Sequence, residues 1–475
     1  MASESSSPTY DAVIIGAGMS GIAAAIRLGM YGLKVLLVER HEAPGGLNSF
    51  YRKQRVAFDV GLHALTNYVP EGVKGAPLQK VFRQLRIQRA DFDLAEQTGS
   101  SIRFPGRTLR FNNQFEFFRE EVIREFPHEQ EHFDAFVRFV REYHAVSLDP
   151  DVGSAREEMA RFIRDQDLVE MLLCPLMYYG SAREHDMDFG QCVVLFQALF
   201  LEGFSRPFEG VRRIIRVLLQ RAKEVGVERR MRKGVKRLHV GKGQVQTVEF
   251  DDGETVSARW VVSSAGVVET LRMCSDQPSG VGEERVGRLS FAESIAVLNR
   301  DPVDFGLNDT IVFFNHRDTF EYARPDGLMD FRSGVVCVPN HYDYSGGRQL
   351  EQGLVRVTSI ANAPLWEALG PDDYLAQKAL ASRGMMESAA RAIPGWDLDA
   401  MRASVVAEDM FTPCTIHRYT GHLHGAVYGA PEKVRDGRTP YSNLLICGTD
   451  QGFLGIVGAM LSGISIVNFH ILKGS

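Results

Sequence analysis

A tight glycine cluster between a short apolar run and a helix former does most to restrict how this 475-residue chain can fold. The run from Asp11 to Ile15 is rich in β-branched residues, the pattern of a strand buried on both faces. Gly16-Ala-Gly-Met-Ser-Gly21 follows, and then Ile22 to Tyr31, an Ala-rich stretch of high helix propensity. Gly32 ends the predicted helix, and Leu33 to Val38 reads as a second buried strand. The unit is a βαβ of about 30 residues whose glycines have G-x-G-x-x-G spacing. Gly16 permits the tight turn, Gly18 lets backbone approach a pyrophosphate, and Gly21 allows close packing of helix on strand. Unpaired N–H groups and the helix dipole then favour a bound anion. Glu39 ends the second strand, where a carboxylate accepts hydrogen bonds from ribose hydroxyls and repels a 2′-phosphate. Strand, helix and acid together set this apart from an ordinary glycine turn of a parallel sheet.

A second glycine pair, Gly45-Gly46, follows Glu39 closely and would add backbone donors near the same pyrophosphate. Spacing carries the reading to an extended dinucleotide and no further. Glycine is in mild surplus at 45 residues, and several of these fall at three turns near residues 16, 45 and 455. Apolar content of 44% provides for an ample core and excludes disordered, collagen-like and disulfide-scaffold classes. Net charge is −6, which gives no support for nucleic-acid binding. Six scattered cysteines without a C-x-x-C pair suggest a reduced, cytoplasmic chain with no zinc site. Met1 to Thr9 is a Ser-rich tail without the basic and apolar regions of a secretory signal. Gly452 to Leu472 carries no Asp, Glu, Lys or Arg, and its glycines and polar residues favour a buried helix near a ligand over a membrane span.

Farther along, Phe115 to Glu142 and Asp165 to Leu201 have helical periodicity, the second being far more apolar. They do not fit a doubly wound sheet and so predict an inserted domain. Val211 to Val225 reads as a basic amphipathic helix; Gly234 to Phe250 and Val256 to Ser263 read as strands returning to the first domain. Residues 290–410 mix strands (Ile311 to Phe314, Gly334 to Val338, Leu354 to Val357) with a helix near Asp372 to Ala392. Ser442 to Cys447 is a final strand before the last helix.

Gly16 to Gly21, Glu39, Gly45-Gly46 and Phe58-Asp-Val-Gly-Leu-His63 resemble the N-terminal signature of the FAD-dependent phytoene desaturase family. That family includes carotenoid isomerases and retinol saturases and is similar, more broadly, to flavin amine oxidases. Pro207-Phe-Glu-Gly-Val211 stands at the family's Pro-x-Gly-Gly-Met turn, with Glu209 where glycine is usual. Lys233 to Leu238, Asp252-Gly and Val261 to Ala265 resemble the strands at the adenosine half. Thr412-Pro-Cys-Thr415 and Gly425 to Gly429 are similar to the isomerase and saturase branches; Cys447-Gly-Thr-Asp450 and Gly455 to Gly463 resemble the C-terminal flavin motif. The departure is Thr449 between Gly448 and Asp450, with a shortened loop after it.

The resemblance implies an α/β fold: a discontinuous Rossmann-like FAD-binding domain (10–70, 205–290, 410–475) with an inserted helix/sheet substrate domain (71–204, 291–409). It implies FAD at Gly16, Gly18, Met19, Ser20, Gly21, Glu39, Arg40, Gly45, Gly46, Leu47, Val235, Ala265, Gly448, Asp450, Gly455, Ile456 and Val457. It implies desaturation, isomerisation or saturation of a long apolar polyene or isoprenoid, with a flavin amine oxidase as the alternative. His63 is the candidate for substrate positioning or proton exchange, weighed evenly against a packing histidine. His417, His422 and His424 lack metal-ligand spacing and an adjacent carboxylate, so no metal is expected. The apolar helices around Leu172 to Phe204 are expected to line a substrate tunnel. The basic residues from Arg212 to Lys233 are read as a solvated face, with contact to anionic lipid at the membrane periphery as the alternative.

Overall fold

In the computed structural model the described residues are 9–53, 56–61, 63–143, 153–278 and 281–473. All but Thr9 of the Ser-rich tail therefore lies outside them, and Thr9 itself opens the first strand, Thr9–Ile15. That strand sits at the centre of a parallel sheet ordered Leu444–Ile446, Thr255–Ser263, Thr9–Ile15, Val35–Val38, Glu228–Arg230. The hairpin Val235–Gly241/Gln244–Phe250 joins antiparallel to the start of Thr255–Ser263. Strands from widely separated parts of the chain thus make one sheet, as the α/β reading requires. Ala12 to Ile15 and Val35–Val38 are buried throughout, which is why they read as unbroken apolar runs.

The helix Met19–Gly29 packs on this sheet together with Val211–Glu224 and the C-terminal helix Gly455–Val467. A Cβ on Gly463 would overlap the Ser20 carbonyl oxygen, so glycine there sets how closely the two helices cross. Gly455–Leu472 is the one helix among the described residues long and apolar enough to cross a bilayer, and half of it is buried against these neighbours.

A second sheet is mostly antiparallel, ordered Val405–Phe411, Ser290–Leu298, Gly353–Ala361, Ser333–Cys337, Ile311–Asn315, Ser100–Phe104, Arg107–Phe111. Its two faces follow the period of two: Ile311 and Phe313 join the core beneath the helices of residues 115–202, and Val312 and Phe314 join that beneath Pro371–Ala392. Pro127 ends the first predicted helix early, giving Phe115–Glu125 and Gln130–Glu142. The helical layer is filled by interlocking rings; Phe118 and Phe200 stack at 4.4 Å between centroids. Such a pair adds about 0.5–1.5 kcal/mol beyond its buried area.

Candidate functional site

A cavity of about 1500 Å³ runs along the carboxyl ends of the parallel strands and on between the two sheets. Its floor is the glycine turn. Gly16 has φ +95°, and a Cβ there would lie 2.5 Å from Ser264 Oγ; a Cβ on Gly21 would overlap the Gly16 carbonyl oxygen. Gly18 is different: it has φ −73°, and a Cβ would meet nothing within 4 Å. No side chain caps the helix it opens, so the first-turn N–H groups face the cavity free for an anion. The second glycine turn docks directly alongside. Gly45 N–H donates to Ala17 O at 2.8 Å, Gly18 and Gly45 form a parallel bridge, and a Cβ on Gly46 would lie 3.5 Å from Gly18 Cα.

Glu39 is fixed at one end. Its Oε2 accepts from Ala17 N–H at 2.7 Å and its Oε1 from His41 N–H at 2.8 Å, leaving lone pairs on both oxygens for ribose hydroxyls. Arg40, Val235 and Ala265 line the same end. Met19, Ser20 and Leu47 line the middle, and Gly448, Thr449 and Ala459 complete that wall. The helix Pro413–Thr420 closes the opposite side, started by a reciprocal Thr412–Thr415 cap.

Some sequence-predicted residues are not brought to the cavity wall. Gly21 packs under the turn. Asp450 is buried, and its oxygens accept from Val267 N–H at 2.6 Å and Ala430 N–H at 2.8 Å. Gly448, at φ +94°, turns the chain so that Thr449 faces the cavity in its place. Ile456 and Val457 are buried in the core beneath the helix, and Gly455 lies near Thr66 Oγ1 at 3.8 Å from a built Cβ. The apolar helices expected to line a tunnel do not reach this cavity: no described residue between 115 and 204 lines it, and residues 166–204 pack into an aromatic core. His417 and His424, read as lacking a carboxylate neighbour, both reach Glu367 at 3.3 and 3.0 Å. His422 lies near Glu269 at 3.9 Å. The basic stretch is largely paired, Arg216 with Glu209 and Arg230 with Glu228 and Glu254.

Sequence reasoning missed the far end of the cavity, where Asp409 receives the Tyr51 hydroxyl at 2.7 Å and the Lys378 ammonium at 2.9 Å. Burial alone would raise the Asp409 carboxyl, but Tyr51, Lys378 and Lys53 outweigh it and hold the group at about 2. Charged residues on separate elements, with no shared motif, left no signal of this in the sequence.

His63 lies just behind the inner wall. Val60 N–H donates to Ser49 O at 2.8 Å, and a Cβ on Gly61 would overlap Leu47 O, so residues 60–61 lie against the cavity-lining segment 47–49. The imidazole Nε2 is 2.9 Å from Glu293 Oε1 and 3.0 Å from Thr358 Oγ1. Arg356 forks onto Glu293, Nε at 2.6 Å and Nη2 at 2.8 Å. Burial pushes the Glu293 carboxyl up, yet Arg356 and His63 bring it down to about 2.

A glycine turn with open N–H groups, a carboxylate at one end and an edge strand of the second sheet at the other make a cavity suited to a large anionic cofactor. Comparison with known proteins gives the family. The model for flavin containing amine oxidoreductases matches residues 19–294, and the chain belongs to that family. Prolycopene isomerase 1 of an Oncidium hybrid cultivar is 22% identical over 96% of this chain and 82% of its own length. All-trans-retinol 13,14-reductase of Danio rerio is 22% identical over 97% and 86%. The lycopene-forming phytoene desaturase of Pseudescherichia vulneris is 24% identical over 85% and 86%. The crystal structure of an oxidoreductase from Methanosarcina mazei has the same fold, with a TM-score of 0.68 at 15% identity over 96% of this chain and 99% of that one. The chain is therefore a flavin-dependent oxidoreductase with carotenoid desaturase, carotenoid isomerase and retinol reductase homologues.

Proposed function

We propose that the cavity takes FAD, and that the chain uses it in redox or isomerisation chemistry on a long apolar polyene or isoprenoid. One observation carries the FAD reading. A single cavity runs from the ribose-side carboxylate of Glu39, past the open N–H groups at Gly18, to Thr449 and Ala459. Its volume of about 1500 Å³ exceeds the usual range for small-molecule sites, roughly 300–1000 Å³. That length suits a cofactor with a nucleotide at each end. When bound, the flavin supplies hydride acceptance or donation at its ring. The chain's own part is to hold the phosphates at Gly18 and Gly46, fix the ribose at Glu39, and hold substrate against the ring with water excluded. The polyene reading is supported by the homologues, whose names carry prolycopene, phytoene, lycopene and retinol.

The test is anaerobic. Purified protein loaded with FAD is mixed with polyenes and, separately, with amines, and loss of the oxidised flavin absorption is followed. Bleaching by a polyene is the expected result. Bleaching by amines alone would replace the polyene reading with an amine oxidase.

A further inference from the structure

We propose that the outer face of the helix Pro371–Ala392 seats on a lipid bilayer and holds the cavity beside the membrane that carries its substrate; this rests on the lipid-soluble substrate proposed above. The two faces of this helix meet different surroundings. Inward, Ala381, Met385, Met386 and Ala389 are buried against the second sheet. The first turns of the same side bring Tyr374 and Lys378 to the cavity wall. There Tyr374 Oη lies 2.8 Å from Thr412 Oγ1, and Lys378 donates to Asp409 at 2.9 Å.

Outward, Leu375, Ala376, Ala379 and Leu380 are all exposed, in pairs four residues apart that share one side of the helix. Leu375 keeps 66% of its surface open and Leu380 keeps 56%. Gly384 continues the row of Ala376 and Leu380, and the exposed Phe331 ring lies over it, 2.8 Å from a built Cβ. Between Asp373 and Arg383 the one charged side chain is Lys378, which turns inward to Asp409. Among the described helices this is the one that exposes two large aliphatic side chains. An element already buried on one side thus keeps a second apolar ridge in water, the mark of a docking surface.

Size decides the occupant. Leu375 to Gly384 is about 14 Å of helix, and a helix is roughly 10 Å across. The ridge therefore covers on the order of 150 Å², far short of the roughly 800 Å² per partner that a stable dimer buries. A bilayer sets no such threshold, because a helix lying in its interface gains with each apolar side chain that enters. The substrate points the same way. A long polyene dissolves in lipid rather than water, and this helix stands between the ridge and the cavity wall. Two other surfaces fit a membrane less well. In the basic stretch, Arg216 and Arg230 are committed to Glu209, Glu228 and Glu254, and the apolar helix Gly455–Leu472 is half buried. The contact is therefore shallow and apolar, and needs no anionic lipid.

The test uses FAD-loaded protein and phosphatidylcholine vesicles that contain no polyene, with binding read by co-flotation. Wild type is expected to float with the vesicles, and high salt to leave the bound fraction unchanged. Leu375→Glu combined with Leu380→Glu puts charge where apolar side chains would enter, so partition should fall at least about tenfold. Both side chains are exposed, so Tm and flavin content of the double variant should match wild type. Wild type that does not float, or a double variant that floats equally well, would overturn the proposal. Binding that requires anionic lipid and is lost in salt would overturn it too, moving the contact to the stretch from Arg212 to Lys233. A dimer that the double variant dissociates would give the ridge to a second copy of the chain instead. Bleaching by a detergent-dispersed polyene is followed separately. Bleaching without flotation overturns the docking surface alone, and leucine-dependent flotation without bleaching upholds that surface and overturns only the polyene reading.

Discussion

The glycine turn makes two different demands, and paired alanine substitutions separate them. Gly21→Ala places a methyl group on the Gly16 carbonyl oxygen, a backbone atom that moves only with the turn. Overpacking of this kind costs about 1–3 kcal/mol. At roughly 2–4 °C per kcal/mol for large domains, the expected fall in Tm is about 2–12 °C. Gly18→Ala places its methyl group in open space at φ −73°, which alanine adopts freely. Alanine is a poorer N-cap than glycine, but it lowers unfolded-state entropy by about 0.4–1 kcal/mol, so apo stability should hold within about 1 kcal/mol. In the proposed FAD complex that open space is where the phosphates approach. Gly18→Ala is therefore expected to weaken FAD binding at least tenfold, about 1.4 kcal/mol, with the apo Tm little changed. The assay is thermal unfolding of apo-protein beside calorimetric titration with FAD. Wild-type FAD affinity in Gly18→Ala, or equal destabilisation by both substitutions, would refute the argument.

Three other outcomes are expected. Glu39→Gln puts an amide NH2 against a backbone N–H, of Ala17 or of His41, and removes a ribose acceptor. Such a loss costs about 1–3 kcal/mol, so FAD binding by titration should weaken roughly 5- to 150-fold. Lys433 is buried beside Asp450, and burial lowers its ammonium to about 8, only partly countered by that carboxylate. Its folded value lies below the unfolded one, so the unfolded chain binds more protons between about 8 and 10.5, and stability from this group should rise with pH there. Denaturant melts of wild type and Lys433→Met should diverge in that window; parallel curves would count against the buried charge. Asp409, held at about 2, contributes stability that is complete above its unfolded value near 3.8 and is lost as pH falls toward 2. Asp409→Asn should flatten acid unfolding over that range, and an unchanged acid limb would show that the Tyr51–Asp409 contact adds nothing.

The dinucleotide unit was legible because its constraints are local. Gly16, Gly18 and Gly21 are required by a φ of +95°, an open approach and a close contact, all within six residues. Sequence order could not show which side of the Gly448 turn faces the cofactor. A positive φ at that glycine reverses Thr449 and Asp450, and the acid serves two backbone N–H groups instead. The strand Ser290–Leu298 went unread because all nine residues are buried, so its pattern has no alternation. With it the partners of His63 stayed hidden, since Glu293 and Thr358 lie 230 and 295 residues away and meet His63 only through strand register. The apolar helices expected to line a tunnel do not reach this cavity, for a related reason. Apolar periodicity records burial, and rings packed on one another, such as Phe118, Phe196 and Phe200, give the same pattern as a lined channel.

The central claim is that one cavity, built around the glycine turns at Gly16–Gly18, Gly45–Gly46 and Gly448, holds a flavin with a nucleotide at its far end. Acid release of the bound cofactor followed by mass spectrometry tests this directly. The expected result is FAD at one per chain. FMN, or protein that takes up no flavin when FAD is supplied, would contradict it.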